Sequence, residues 1–451
     1  MKLHRSLSMY NISTKEHDIT KNKSHLTDMI QSIKKSEHEP KYKPKMDAAN
    51  FKPICIKVNK NWANKETRPG SKYSPVVVAK NQDEQVVKSM GVVKDVRVDA
   101  CQNLASKGKG SSNWVSFKGR PNENDNLKLN EDTIPAIVIS GGSAKKLASE
   151  MARDYKLSLA FHPNNMQESP VYILVHEADY IPYNEAFSEL KNQYKNLHII
   201  GWDAGKLTGF GAARSAAVAF ADALTYKPKR FMMMDQDLLK TQDTRHTNPR
   251  VNSEIQRKHN AGMPVVGYGV PFPNREGFTG IFANTAKPEH ENYNAPTAAF
   301  VDINAPYRKP NSDGAYPAWM VSGGEDMYMT KHYKFMKDDV NTSLLDGRIV
   351  KKELQGESDF PNKYWNENRV ETLKLLFEAE KDTLLRFDNK DITLDELMHE
   401  FVKSGYIESH PSPESYFTAS SVIERIILRL QKEGNDESGL IGILNKHNLT
   451  Q

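Results

Sequence analysis

Several features that would assign a class at once are missing from this sequence. Its 451 residues include only two cysteines, Cys55 and Cys101, which excludes a disulfide framework, a cysteine-ligated zinc cluster and a CxxC redox motif. Two isolated thiols are compatible with a reducing compartment. Neither a GxSxG elbow nor a Walker A sequence is present, so the usual signatures of serine hydrolases and P-loop NTPases are also absent.

Long apolar segments are missing as well. No stretch approaches the roughly 18 apolar residues that a membrane helix needs. The first 16 residues contain basic side chains but no apolar core of a secretory signal. We therefore expect a soluble, cytoplasmic protein without a membrane span, and export by a signal-independent route stays open.

The charge of the chain is small in sum but uneven in distribution. Residues 1–60 contain 13 Lys and Arg against six acids, a net charge of +7, whereas the other 391 residues sum to −2. Few aromatic residues accompany this basic head, so nucleic-acid binding is not indicated. The partner of the head, if it has one, is unknown.

Composition divides the chain into three predicted regions. Residues 1–130 are rich in Lys, Asn, Ser and Asp, and we interpret them as a basic, polar extension that is partly disordered or accessory. Residues 131–345 are expected to form the domain that carries the site, and residues 346–451 a helical C-terminal region. Three helices are predicted in that last region, over residues 365–388, 393–404 and 419–433.

The middle region alternates between short apolar runs and segments with helical periodicity. Four apolar runs are typical of buried strands: Ile134–Ser140, Val171–Val175, Leu197–Ile200 and Phe231–Met234. Strand and helix alternating at this spacing predict βαβ units, and hence an α/β fold with a Rossmann-like, mostly parallel sheet.

Polar or acidic residues follow each of these four runs. In order along the chain they are Ser140, then Glu177 and Asp179, then Asp203, then Asp235 and Asp237. Ligands of open α/β sheets bind beyond the carboxyl ends of the strands. Acids at three of the four strand ends therefore favour a metal or nucleotide site.

The strongest single signal is the pair Asp235 and Asp237 directly after an apolar strand. Two carboxylates at the end of a buried strand are costly unless a cation compensates their charge. Residues i and i+2 of an extended segment point the same way, so both acids can face one ion. Hard oxygen ligands suit Mg²⁺ or Mn²⁺. A bare DxD also occurs in ordinary loops, and the preceding strand is what favours a metal here.

A second signal is the segment WMVSGGEDMY, which begins at Trp319. The pair Gly323–Gly324 allows a ligand to approach the backbone closely. Glu325 and Asp326 then open a predicted helix, where negative charge is favourable. A helix cap is one interpretation of this segment, and a carboxylate placed as a general base is the other.

A third signal is the segment GFGAARS at Gly209–Ser215, between the third strand and its helix. A loop and helix N-terminus of this kind can hold phosphate, and Arg214 can pair with it. The pattern is GxGxxR rather than GxGxxG, so the dinucleotide fingerprint is incomplete. A helix start with an exposed arginine is the alternative interpretation.

In combination, these segments resemble the GT-A class of nucleotide-sugar-dependent glycosyltransferases. The resemblance rests on Asp235 and Asp237 after an apolar strand, on GAARS about 20 residues earlier, and on WxxSGGED about 90 residues later. It covers roughly residues 133–335, and it assigns no particular family within the class.

The resemblance implies a metal-dependent hexosyltransferase that moves a sugar from a UDP- or GDP-sugar to an unidentified acceptor hydroxyl or amine. Asp235 and Asp237 would bind Mn²⁺ or Mg²⁺, with His332 as a candidate third ligand that is otherwise a surface histidine. Asp326 or Glu325 would be the catalytic carboxylate. Residues implied to contact the nucleotide or donor sugar are Ser140, Glu177, Asp179, Asp203, Arg214, Asp235, Gly323 and Gly324. Trp319 would contact the acceptor, which could be a protein, a peptide, a glycan or a small molecule.

Other functions stay open at this point. A nucleotidyltransferase would use the same acids and a glycine-rich loop after the first strand, which Gly141–Lys146 matches in part. An NAD-dependent oxidoreductase would use Asp235, 26 residues after Gly209, as its ribose-binding acid. A binding protein without enzymatic activity is the fourth possibility.

Overall fold

The described part of the chain is an α/β structure built on a seven-stranded sheet. It comes from a computed structural model and lies within the compact unit Lys52–Gln451. The residues described are 56–58, 76–78, 94, 96–105, 114–119, 128–153, 159–166, 169–242, 244, 248–261, 263, 265–268, 271–272, 282–285, 299–304, 316–325, 345, 349–352, 367–387, 390–403, 416, 420 and 423–424.

The described elements comprise fourteen strands and eight helices. The strands are β1 (Ile56–Val58), β2 (Val76–Val78), β3 (Ser116–Lys118), β4 (Ala136–Ile139), β5 (Val171–His176), β6 (Leu197–Asp203), β7 (Arg230–Asp235), β8 (Val265–Gly267), β9 (Pro271–Phe272), β10 (Phe282–Thr285), β11 (Phe300–Asn304), β12 (Val350–Lys352), β13 (Leu384–Phe387) and β14 (Lys390–Thr393). The helices are α1 (Ala144–Met151), α2 (Pro163–Met166), α3 (Glu177–Ala186), α4 (Ser188–Gln193), α5 (Phe210–Ala223), α6 (Pro249–Asn260), α7 (Arg369–Glu380) and α8 (Leu394–Lys403).

The large sheet is mixed, with a parallel centre. Its strand order is β3-β6-β5-β4-β7-β11-β8. β6, β5, β4 and β7 are parallel neighbours, and the outer strands join by antiparallel pairing. The predicted α/β fold with parallel central strands is therefore confirmed. The chain winds from β4 outward to β6 and then crosses to β7 on the other side of β4, which creates a topological switch point between β4 and β7.

The central strands are continuous apolar runs because both faces of the sheet are covered. All residues of β4 and β5 are buried, as are the first five of β7. α5 packs against β4 and β5 through a face of small side chains. The buried alanines of that face are Ala212, Ala213, Ala216, Ala217 and Ala221. Small residues bring the helix axis, and with it Arg214, close to the strand ends.

The start of α3 differs from the prediction. Glu177 and Asp179 were expected in a loop after a strand, but α3 begins at Glu177 directly after β5. The imidazole of His176 accepts a hydrogen bond from the backbone N–H of Ala178 at 3.2 Å and caps the helix. Both acids therefore lie in the first helical turn, where the helix dipole favours negative charge.

The C-terminal region contains a hairpin where a helix was expected. The predicted helix over residues 365–388 is wrong beyond Glu380, because β13 and β14 form an antiparallel pair. The sequence places Asp388 and Asn389 between these strands, and both residue types are common in turns. The helix predicted over 393–404 is confirmed as α8, whereas the one over 419–433 lies mostly outside the described residues. None of the described helices is long and apolar enough to cross a membrane.

Part of the predicted N-terminal extension belongs to this fold. β3 pairs with β6 at one edge of the large sheet. Residues 96–104 are helical, and Arg97 and Cys101 are buried there. The division of the chain at residues 130 and 345 stays a prediction.

Two glycines allow α5 to meet the segment that precedes Gly323. At Gly209, where φ is +120°, an added Cβ would lie 2.7 Å from the Cα of Val321. At Gly211, an added Cβ would lie 1.9 Å from the carbonyl oxygen of Pro317. The N–H of Gly211 donates a hydrogen bond to the carbonyl of Met320 at 2.9 Å. These glycines therefore serve a close contact between two backbone segments.

We expect Gly211→Ala to lower the free energy of unfolding by about 3 kcal/mol, because the new methyl group overlaps a backbone carbonyl that cannot rotate away. Urea unfolding measures this change. Ala223→Ser, at the exposed end of the same helix, should stay within about 0.5 kcal/mol of the wild type. Equal stability of the two variants would contradict the packing role of Gly211.

Candidate active site

The predicted acids meet at the switch point between β4 and β7. Parallel pairing places Ile139 of β4 opposite Asp235 of β7. Just beyond β4, the hydroxyl of Ser140 donates a hydrogen bond to the side-chain carbonyl of Gln236. The ends of the two strands are thus connected by side chains at the crevice where open α/β sheets bind ligands.

Five charged side chains gather at this crevice, and we call them the site cluster: Asp235, Asp237, Glu325, Arg214 and Lys351. Arg214 of α5 donates from Nη2 to Asp235 Oδ1 at 3.0 Å and from Nε to Glu325 Oε1 at 2.8 Å. Lys351 Nζ lies 2.8 Å from Asp235 Oδ2 and 3.2 Å from Asp237 Oδ1. Three carboxylates against two cations leave the site cluster with one excess negative charge.

The two aspartates of the site cluster have opposite pKa shifts. Burial would raise the pKa of Asp235, but Lys351 and Arg214 oppose it and lower that pKa to about 2. Burial also raises the pKa of Asp237, and Lys351 only partly offsets this rise, to which the charge of Asp235 adds. Burial would lower the pKa values of Lys351 and Arg214, but their carboxylate partners raise both. Asp235 is therefore firmly ionised, and Asp237 is the acid whose charge is less well compensated.

The aspartate pair fits a divalent cation. Asp237 Oδ1 is buried and accepts no hydrogen bond within the described part of the chain, and its neighbouring cation is the ammonium of Lys351. Mg²⁺ is often held by one or two carboxylates and completes its shell with water and substrate phosphates. No group of three acidic, histidine or cysteine ligands occurs among the described residues. His332, the predicted third ligand, and Asp326, a predicted catalytic carboxylate, lie outside them.

The loop after β4 is held by α3. The N–H of Gly142 donates to Asp179 Oδ2 at 2.5 Å, and the N–H of Ser143 donates to the hydroxyl of Tyr183 at 3.1 Å. The same Tyr183 hydroxyl lies 2.6 Å from Ser140 Oγ. Asp179 and Ser140 therefore shape the edge of the crevice, and the contact predicted between them and a nucleotide stays a prediction.

Two further predicted donor contacts lie on the far side of β4 from the site cluster. Glu177 follows β5 and pairs with exposed Lys118 at 3.4 Å. Asp203 ends β6, and its Oδ1 accepts a hydrogen bond from the N–H of Gly205 at 2.7 Å. Adjacent strands are about 4.8 Å apart, so Asp203 ends a strand three positions away from β7. Of the predicted residues, the structure joins Arg214, Asp235, Asp237 and Glu325 by direct contacts.

The glycine pair and the predicted acceptor residue border the site cluster. Gly323 and Gly324 have φ angles of +131° and +92°, which a residue with a side chain rarely adopts. They turn the chain so that Glu325 reaches Arg214. Trp319 is 2% exposed, and the ammonium of Lys94 lies 5.9 Å from the centre of its ring. In this structure the Trp319 ring is part of the interior.

A buried network anchors the segment that leads into the glycine pair. Glu424 accepts hydrogen bonds from the N–H of Val321, at 2.8 Å, and from the hydroxyl of Ser322. Arg97 binds Glu424 Oε1 at 2.9 Å and Glu380 Oε1 at 2.6 Å. Residues from both ends of the described chain therefore fix the backbone just before Glu325.

Sequence reasoning missed Lys351, Arg97 and Glu424. Lys351 lies 114 residues after Asp237, in a region interpreted as helical. It is placed by β12, because the N–H of Leu239 donates to the carbonyl of Val350 at 2.8 Å. No spacing rule connects such distant residues, and a lysine in a polar chain carries no signal of its own.

No protein-family model matches the chain, and no curated protein matches its sequence.

We expect Arg97→Met to lower the free energy of unfolding by about 3–5 kcal/mol, because it leaves buried carboxylates without their cation. Burial already raises the pKa of Glu424, and Arg97 opposes that rise. A carboxyl group with a raised pKa in the folded state loses stability as pH rises. The loss in Arg97→Met should therefore be larger at pH 8 than at pH 5, as measured by urea unfolding. Adding Glu424→Gln should remove part of that pH dependence, and a loss independent of pH would contradict the network.

Asp235→Asn should change the acid side of the stability profile. The pKa of Asp235 is lowered to about 2 in the folded state, against about 3.9 in an unfolded chain. Its stabilising contribution is thus present above about pH 4 and is lost as pH falls toward 2. The difference in unfolding free energy between wild type and Asp235→Asn should shrink over that range. Asp132→Asn, at an exposed ion pair with Lys229, controls for the loss of one charge, and an identical profile for both variants would contradict the prediction.

Proposed function

We propose that this protein is a metal-dependent glycosyltransferase of the GT-A type, which transfers a sugar from a UDP- or GDP-sugar to an acceptor hydroxyl or amine. The observation that carries the proposal is the convergence of Asp235 and Asp237 on one cation position at the switch point between β4 and β7. The chemistry of this transfer needs a site that stabilises a leaving diphosphate, and such a crevice with paired acids suits it.

The site cluster divides the work between holding charge and holding geometry. Asp235 and Asp237 would hold Mn²⁺ or Mg²⁺, which supplies stabilisation of the negative charge that develops on the departing diphosphate. Arg214 fixes Asp235 relative to Glu325 through two hydrogen bonds. We assign Arg214 as a positioning residue on this basis.

The contact with Arg214 also bears on which acid accepts a proton. Glu325 is 5% exposed, and its carboxylate receives the guanidinium of Arg214 at 2.8 Å. A carboxylate held by a cation is a weaker base, because protonation would break the ion pair. Between the two candidates, this favours Asp326 as the general base and Glu325 as the residue that orders the loop.

A nucleotidyltransferase would use the loop after β4 to bind phosphates through backbone N–H groups. In this structure the N–H groups of Gly142 and Ser143 already donate to Asp179 and Tyr183. Phosphate binding there would have to break both hydrogen bonds, which argues against this second candidate.

The oxidoreductase alternative is weakened by topology. A ribose-binding acid ends the strand next to the one that precedes the glycine-rich loop. Here Gly209 follows β6 and Asp235 ends β7, and two strands lie between β6 and β7. The 26-residue spacing in the sequence therefore does not bring the two into the required relation.

The test is hydrolysis or transfer of UDP- and GDP-hexoses with and without Mn²⁺, followed by release of free UDP or GDP. We expect activity that needs the metal and falls at least about 100-fold in Asp237→Ala, because the charge on the leaving group is no longer compensated. Asp132→Ala, which removes an exposed carboxylate, should retain the wild-type rate.

Full activity of Asp237→Ala would show that the metal assignment is wrong. Release of pyrophosphate from nucleoside triphosphates would favour the nucleotidyltransferase. Nucleotide-sugar binding without turnover in every variant would favour a binding protein.

A further inference from the structure

Lys351 occupies the place at the aspartate pair that a cation would take. Its ammonium contacts one oxygen of Asp235 at 2.8 Å and one of Asp237 at 3.2 Å. The strand β12 holds it there, because Leu238 and Lys351 form a β-bridge just after β7. The two acids at the strand end thus have a counter-ion that is part of the chain.

A divalent ion and this ammonium compete for the same oxygens. A metal bound to both carboxylates would lie within a few ångströms of Lys351 Nζ, where two positive charges repel strongly in a partly buried site. The pKa of Lys351 is raised by both aspartates, so release of a proton offers no easy escape. The ammonium has to move before the metal can bind.

Arg214 cannot take over the role of Lys351. Its guanidinium is 9% exposed and is bound to Asp235 and Glu325 at the same time. The side chain of Lys351 is 25% exposed, and its four-carbon stem is flexible. Lys351 is therefore the cation of the site cluster that can change partner.

We propose that Lys351 and a divalent cation exclude each other at the Asp235–Asp237 pair until a diphosphate is bound, and that the diphosphate then becomes the new partner of Lys351. The proposal rests on the function proposed above and adds an order to it. Metal alone binds weakly, and a nucleoside diphosphate makes metal binding strong. Binding of the two ligands is then coupled through one lysine.

The experiment is a titration of the full chain with Mn²⁺, in which the electron paramagnetic resonance signal reports free metal, with and without UDP or GDP. Wild type should bind Mn²⁺ at least about tenfold more tightly when the preferred diphosphate is present, a coupling in the range known for linked sites. Lys351→Met should bind Mn²⁺ more tightly than wild type without nucleotide and should lose most of the coupling.

Two further variants make the comparison specific. Lys351→Arg retains a positive charge and should keep the weak metal binding of the wild type. Lys381→Met removes a lysine whose ion pair with Glu378 has the same 2.8 Å distance but lies on α7 and the turn after it, and it should behave as wild type. If Lys351→Met does not fold, as judged by its thermal unfolding, Lys351→Gln removes the charge with less change in polarity.

The outcomes separate this proposal from the proposed function. If wild type binds Mn²⁺ and turns over nucleotide-sugars, but folded Lys351→Met or Lys351→Gln has unchanged affinity for Mn²⁺, mutual exclusion is overturned and the function stands. If no variant binds Mn²⁺ with UDP or with GDP, both proposals are overturned.

Discussion

Arg214 lies between two carboxylates that are far apart in the sequence, and its position determines the shape of the site. Asp235 ends a central strand, whereas Glu325 follows a pair of glycines 90 residues later. A buried guanidinium is stable only where carboxylates compensate its loss of hydration. The contact therefore constrains both partners, since neither acid can move away without leaving the other buried charges unbalanced. The strand end and the glycine loop are held at a fixed separation across the crevice.

That contact depends in turn on how closely α5 approaches the rest of the molecule. Gly211 has no space for a side chain beside Pro317, and the alanine face of α5 lies directly on the central strands. On the other side, Glu424 holds the backbone at Val321, and Arg97 holds Glu424. The site cluster is thus positioned by residues between 94 and 424, so its geometry reflects the folding of most of the described chain rather than of one motif.

Sequence reasoning was most successful where local pattern decides structure. The four apolar runs became the parallel centre of the sheet, because a strand covered on both faces has to be apolar along its length. The link between Arg214, Asp235 and Glu325 was also within reach, because strand ends and the loops beyond them gather at one edge of such a sheet. Lys351 was out of reach, because its position depends on pairing with Leu238 over more than 100 residues. The hairpin β13–β14 was missed because its apolar residues also match a helical spacing over a short range.

The charge balance of the site cluster explains why a lysine is useful at the aspartate pair. Two acids at a buried strand end would repel each other and resist desolvation whenever no ligand was present. Lys351 removes most of that cost but leaves one negative charge in excess, and Asp237, with its raised pKa, is where the compensation is weakest. A site balanced in this way is stable without a ligand and still attracts positive charge. Such a balance suits a pair of acids that must be kept ready for a cation delivered together with an anion, because the anion can accept the displaced ammonium.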